Sequence, residues 1–251
     1  MTTCPKCGHK RRDHETHVHV GICPACTVAY DKYLASLQAK ASSDIELDDS
    51  PESDEHDARL TTRLQETLLY FEEPVDPTLL SIKAGVLGVF ICWGAAFVVG
   101  GIDWMSIGGS FLHNANLAFH EFGHVFFSPF GRFMTILGGS LFQVMLPLIL
   151  LGVFVIKQRD NFGGAICLWW CGQNFIDVSP YIADAEYRVL PLIRGMDESA
   201  HDWGNLLSMT DSLHSAQALA TTAFVLGALI MATSMLWAAR LLWLQYRSLA
   251  H

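Results

Sequence analysis

The distribution of hydrophobic positions divides the chain into a polar N-terminal part and an apolar remainder that begins near residue 79. A helix needs about 20 mostly apolar residues to cross the hydrocarbon core of a bilayer. The apolar runs predict about five transmembrane helices, at residues 79–100, 107–127, 133–156, 162–176 and 216–244. The pattern therefore predicts an all-α polytopic membrane domain over residues 79–251.

The polar part changes character twice before the first apolar run. Residues 39–58 are acidic and show no hydrophobic period, which predicts a flexible linker. In residues 59–78, Leu60, Leu64 and Leu68 lie at helical spacing. This spacing predicts an amphipathic juxtamembrane helix lying on the membrane surface. A helix packed on the N-terminal domain would explain the same pattern equally well.

The composition supports a membrane protein with a small polar domain attached. Of the 251 residues, 51% are hydrophobic and only 16% are charged, which is too apolar for an ordinary soluble protein. The formal net charge is −9 and the acidic residues crowd the N-terminal part, so we expect no nucleic-acid partner. No apolar segment opens the chain, and we expect the first hydrophobic span to stay as an anchor in the lipid bilayer.

Four of the seven cysteines form two Cys-x-x-Cys pairs, Cys4 with Cys7 and Cys23 with Cys26. Their spacing is that of a four-Cys zinc ribbon, and bound metal would supply the folding energy of so short a segment. Residues 1–38 are therefore predicted to form a zinc ribbon and a following short helix, with the capacity to bind a protein partner. The alternative is a redox dithiol, but the thioredoxin-like context that it needs is absent.

The second apolar run contains the sequence His-Glu-Phe-Gly-His. On a helix, His120 and His124 lie one turn apart on the same face, so that both imidazoles can bind one Zn²⁺ while Glu121 acts as general base. The pattern also arises by chance on ordinary helices. Ionisable groups at membrane depth are costly, however, and their presence there indicates a functional site.

The same helix face continues with His113 and Asn116. Lipid cannot solvate such a polar stripe, which predicts a water-filled cavity lined by neighbouring helices. Gln143, in the next run, is placed to form hydrogen bonds inside the bundle.

These residues resemble the site-2 protease family of intramembrane zinc metalloproteases. The resemblance rests on the His-Glu motif and, two spans later, on Asn174, Pro180 and Asp184, which are similar to the Asn…Pro…Leu-Asp-Gly pattern of that family. It implies zinc ligation by His120, His124 and Asp184, with Glu121 as base and Asn174 as a substrate or oxyanion contact. The chain departs from the family in its Ala-Asp-Ala sequence around Asp184, in lacking a PDZ-sized insertion and in carrying a ribbon.

Three residues compete for the third ligand position. Asp177 would share a helix face with Asn174, whereas a backbone break at Pro180 would free Asp184 to turn back toward the second span. His201 is a good zinc ligand by chemistry but lies in a polar loop. We therefore predict Asp184 as the ligand, Asp177 and Asn174 as cavity groups, and His201 as the second candidate.

The function predicted from these observations is zinc-dependent hydrolysis of peptide bonds in membrane-spanning or membrane-associated protein substrates. Zinc-bound water would be the nucleophile and Glu121 the general base. A metal transporter and a non-catalytic membrane scaffold that uses the same His/Asp cluster are the alternatives. Free thiols and the Lys and Arg residues before residue 79 predict a cytoplasmic ribbon on an integral, multi-pass membrane protein.

Overall fold

Helices make up most of the chain in a computed structural model that describes residues 3–46, 51–191 and 198–249. The described residues contain no β-strand, only isolated bridges, which confirms the all-α prediction at this level. The chain separates into two units, Met1–Leu64 and Gln65–His251.

In the first unit, each Cys-x-x-Cys pair lies in a tight turn. The amide of Gly8 donates to the carbonyl of Cys4, and the amide of Thr27 donates to that of Cys23. Gly8 and Thr27 both adopt positive φ angles, which close these turns. Single β-bridges, Thr3 to Lys10 and Ile22 to Ala29, hold the turns, and the strand typical of a ribbon at residues 16–20 is replaced by bends and turns.

Two helices follow the Cys turns. Helix α1 covers Tyr30–Glu46 and helix α2 covers Pro51–Leu68. Residues 39–46 and 51–58 are therefore helical, whereas the sequence predicted a flexible linker over residues 39–58. Residues 47–50 lie outside the described residues. Proline is favoured in the first turn of a helix, and acidic residues near its N-terminus interact favourably with the helix dipole, which explains why an acidic stretch can be helical.

Helices α3 to α9 form the second unit. They cover Pro77–Gly100 (α3), Trp104–Gly108 (α4), Phe111–Phe127 (α5), Arg132–Gly152 (α6), Asn161–Ala183 (α7), Asp202–Met209 (α8) and Ala216–Leu249 (α9). Within the described residues, three segments are long and apolar enough to cross a membrane, namely Pro77–Gly100, Arg132–Gln158 and Leu213–Leu249. Helix α7 packs along α9, and α5 packs along α6.

Close packing of α5 on α6 depends on two glycines. A Cβ atom added to Gly138 would lie 2.7 Å from the carbonyl oxygen of Gly123, and one added to Gly123 would overlap the backbone of Gly138. The two backbones can therefore approach more closely than larger residues would allow. This approach brings residues of α6 within hydrogen-bonding distance of the polar face of α5.

Helix α7 continues through Pro180 to Ala183, so the predicted backbone break between Asp177 and Asp184 does not occur. Proline has no N–H to donate to the carbonyl of Ile176, which would leave that buried acceptor without its helical partner. The hydroxyl of Ser179 donates to this carbonyl at 2.7 Å instead. The serine therefore compensates for the proline and preserves the helix.

Replacing Ser179 with Ala should destabilise the protein by about 1–3 kcal/mol, because the carbonyl of Ile176 would lose the hydroxyl donor that takes the place of the missing Pro180 amide. Ser234→Ala is the matched control: Ser234 is equally buried and donates to the carbonyl of Met231, which keeps its ordinary helical donor. Thermal unfolding of the purified protein in detergent measures the difference. Equal losses in the two variants would contradict this account of α7.

Candidate metal centre

The two histidines of the His-Glu motif lie on α5 with their rings 4.8 Å apart. His124 Nδ1 donates to the backbone carbonyl of Thr135 at 2.8 Å, and His120 Nδ1 lies 3.2 Å from Gln143 Oε1. Both Nδ1 atoms are therefore engaged by oxygen acceptors on α6. The Nε2 atoms are left to face a common point.

Asp202 supplies the third group at this point. Its Oδ2 atom lies 3.0 Å from His120 Nε2 and 3.3 Å from His124 Nε2. One ligand atom from each of these three residues lies within 4.8 Å of the others, so the group could hold a metal ion. Burial would raise the pKa of Asp202, but hydrogen bonds from His120 and His124 outweigh it and lower the pKa to about 2.

The start of α8 positions Asp202. His201 caps this helix, because its Nδ1 atom accepts a hydrogen bond from the Gly204 amide at 3.0 Å. The Asp202 amide donates to the Tyr181 hydroxyl at 2.8 Å, and the Trp203 indole donates to Ser140 Oγ at 3.1 Å. Contacts with α6 and α7 therefore hold the N-terminus of α8, which presents the carboxylate.

The structure does not bring Asp184 to the histidine pair, in contrast to the prediction. Its carboxylate accepts hydrogen bonds from the amides of Val189 at 3.1 Å and Leu190 at 2.9 Å, and it lies 3.3 Å from His201 Nε2. Because α7 does not break at Pro180, Asp184 stays at the helix end and stabilises the loop that follows. His201, the second candidate, is an anchor for this loop and does not join the cluster.

Asp202 was missed by the sequence reasoning, although it stands next to His201. The available signal was a His-Asp pair followed by Gly204 in a loop between two apolar helices. Asn174 is also placed differently from the prediction. It is fully buried in α7, and its side-chain amide donates to the backbone carbonyl of Trp170 at 3.0 Å.

A cavity of about 620 Å³ adjoins the cluster. Its polar lining includes Glu121, which the sequence places next to His120, together with His113, Asp177 and Tyr181. The remaining wall is largely apolar, with Trp104, Leu117, Ile136, Val178 and Leu190. A cavity lined by neighbouring helices is therefore present beside the His-Glu motif, and its filling with water stays a prediction.

Space for an ion at the cluster depends on Gly139 of α6. A Cβ atom at this position would lie 2.6 Å from His120 Nε2 and 2.7 Å from His124 Nε2. The absence of a side chain keeps the region in front of both nitrogens open. Two imidazole nitrogens and a carboxylate oxygen are also the donor set of catalytic zinc sites, so the residues present fit such an ion.

The four N-terminal cysteines form a second cluster. Their Sγ atoms lie within 4.8 Å of one another, with 3.7 Å between Cys4 and Cys26 and between Cys7 and Cys23. Burial raises the pKa of Cys23, but backbone N–H groups outweigh it and lower the pKa to about 6. The pKa of Cys7 is raised to about 12 despite a backbone hydrogen bond at His9, chiefly by the neighbouring thiols. A divalent cation would allow all four to ionise.

Comparison with known proteins adds no relative: no protein-family model, curated protein or solved structure matches this chain. The resemblance to the site-2 protease family therefore rests on the motif residues alone and stays a prediction.

Gly139→Ala should remove most of the metal bound at the His120, His124 and Asp202 cluster, because the new methyl group would occupy the space in front of both Nε2 atoms. Gly152→Ala, on the same helix, is the control, since a Cβ atom there meets nothing within 4 Å. Metal content is measured in full-length protein carrying Cys4→Ser and Cys7→Ser to remove the other cluster. Retention of the metal in the Gly139 variant would refute this location for the site.

In the same background, Asp202→Asn should lose most of the bound metal, whereas Asp184→Asn should keep it. The neutral amide of the first variant removes a charged ligand, while in the second variant the substituted residue lies outside the cluster, and its remaining oxygen can still accept a hydrogen bond from one of the two loop amides. Metal analysis of the purified variants distinguishes the two carboxylates. Loss of the metal in the Asp184 variant alone would restore Asp184 as the ligand.

Proposed function

We propose that the chain is an intramembrane zinc metalloprotease that hydrolyses peptide bonds of membrane-spanning or membrane-associated proteins. The observation that carries this proposal is the convergence of His120 Nε2, His124 Nε2 and Asp202 Oδ2 beside Glu121 in a cavity of the helical bundle. Three protein ligands leave a position open, as in catalytic zinc sites, whereas four would close it.

The proposal includes five membrane spans, namely α3, α5, α6, α7 and α9. Helices α5 and α7 are shorter or more polar than the other three, because they carry the cavity on their inner faces. Polar side chains at that depth need protein or water partners, and the contacts between α5, α6 and α7 supply them. In this arrangement the four-Cys domain binds a structural zinc ion on the cytoplasmic side and offers a surface for a protein partner.

In the proposed mechanism, a bound Zn²⁺ would polarise the scissile carbonyl and increase the acidity of water. His120, His124 and Asp202 would hold it. Glu121, on the cavity wall, takes the proton from the attacking water and delivers it to the leaving amine. Tyr181 also lines the cavity, and its hydroxyl, which donates to Asp202 Oδ2 over a long 3.4 Å, could redirect this proton to the developing oxyanion, a role that the buried position of Asn174 does not favour.

The substrate must present an extended segment to this cavity. In a transmembrane helix, every amide N–H and carbonyl is engaged in the helical hydrogen bonds, so the helix must unwind locally before a carbonyl can be attacked. The polar side chains that line the cavity around Glu121 and His113 can form hydrogen bonds with the released backbone groups. The apolar wall formed by residues such as Leu117 and Ile136 suits hydrophobic side chains on either side of the cleaved bond.

Glu121→Gln should reduce cleavage by about 10²–10⁴-fold, the usual contribution of a general base, while the metal content stays unchanged. Glu186→Gln is the control, because Glu186 is exposed and does not line the cavity. The measurement compares new protein N-termini in native membranes that contain wild-type protein or either variant, together with the zinc content of each purified protein.

The alternatives give different results in the same experiment. A metal transporter or a membrane scaffold would produce no Glu121-dependent cleavage products, and its metal content or partner binding would be little affected. Equal sets of N-termini in the wild-type and Glu121→Gln membranes would therefore overturn the protease proposal.

A further inference from the structure

A buried carboxylate is separated from the candidate metal centre by a single side chain, that of Gln143. Asp177, on α7, is only 3% exposed. Its Oδ2 atom accepts hydrogen bonds from Gln143 Nε2 at 2.7 Å and Asn116 Nδ2 at 3.2 Å, and its Oδ1 atom lies 3.1 Å from His113 Nδ1. A buried carboxylate needs such partners. Asp177 therefore orients the side chains that surround it.

The contacts around Asp177 determine the direction of each hydrogen bond. The Trp170 indole can only donate, and it donates to Asn116 Oδ1 at 2.8 Å. The amide nitrogen of Asn116 must then face acceptors, which are Asp177 and Gln173 Oε1. The Trp170 indole, which only donates, lies at one end of the network, and the Asp177 oxygens accept hydrogen bonds at the other end, so the amides have one consistent orientation.

Gln143 connects this network to the metal centre. Its NH₂ group faces Asp177, so its Oε1 atom must face His120, where the distance to Nδ1 is 3.2 Å. An oxygen acceptor at this distance requires the hydrogen to reside on Nδ1. The Nε2 atom is then the ring nitrogen that can present a lone pair to an ion. His124 needs no side-chain partner to fix its tautomer, because its Nδ1 atom donates a hydrogen bond to the backbone carbonyl of Thr135.

We propose that Gln143, oriented by Asp177, is a positioning residue that holds His120 in the tautomer and ring orientation required for metal binding. The inference rests on the proposed function, since it assumes an ion at His120, His124 and Asp202. It extends that function by assigning a role to two buried polar residues that do not touch the ion. Partners of this kind usually contribute about 10–100-fold to metal affinity.

The test measures zinc affinity by competition with a chromophoric chelator, in full-length protein carrying Cys4→Ser and Cys7→Ser. Gln143→Met keeps the length of the side chain but removes its acceptor, and it should weaken zinc binding by about 10–100-fold. Gln173→Met is the matched control, because Gln173 is equally buried in the same network but does not contact His120. The thermal unfolding temperature of the metal-free protein should fall by a similar amount in both variants.

Asp177→Asn provides a second test with a side chain of the same size, in case the Met variant does not fold. An amide at this position allows Gln143 to turn its NH₂ group toward His120, which favours the wrong tautomer, so zinc affinity should again fall. Unchanged affinity in every folded variant, or equal losses in the Gln143 and Gln173 variants, would overturn the inference and leave the proposed function intact. Absence of zinc from the Cys-substituted parent protein would overturn both.

Discussion

Polar side chains buried among apolar helices must find partners within the protein, and this requirement organises the second unit, Gln65–His251. Helix α5 carries His113, Asn116, His120 and His124 on one face, and apolar surroundings cannot satisfy the hydrogen-bonding groups of any of them. Each therefore interacts with a group from α6, α7 or α8. The hydrogen bonds that remove the cost of burial are the same ones that aim the two imidazoles at a common point. Stability of the bundle and geometry of the candidate site thus depend on the same contacts.

Close helix packing is the second condition for the site. Gly123 and Gly138 allow the backbones of α5 and α6 to approach, and this brings the Thr135 carbonyl within reach of His124. One position further along α6, Gly139 leaves room in front of the histidine nitrogens. The small residues of α6 therefore serve two purposes, since they shorten the distance between the helices and keep open the space that an ion requires.

The candidate site draws its residues from two helices, α5 and α8. Its histidines lie on a helix packed against α6, whereas Asp202 is the first residue of α8, a helix that is capped by His201 and held by hydrogen bonds to Tyr181 and Ser140. Asp184 contributes indirectly. Its carboxylate contacts His201, which caps α8, and accepts hydrogen bonds from the amides of Val189 and Leu190.

Local patterns in the sequence determined the helical class, the position of the apolar helices, the two histidines one turn apart and the four-Cys cluster, because each depends on spacing along one segment. They did not determine which carboxylate meets the histidines. That choice depended on Ser179, which preserves α7 through Pro180 and so keeps Asp184 away, and on the capping by His201 that aims Asp202 inward. Residues 82 positions apart, such as His120 and Asp202, come together only through tertiary packing, which no local period in the sequence records.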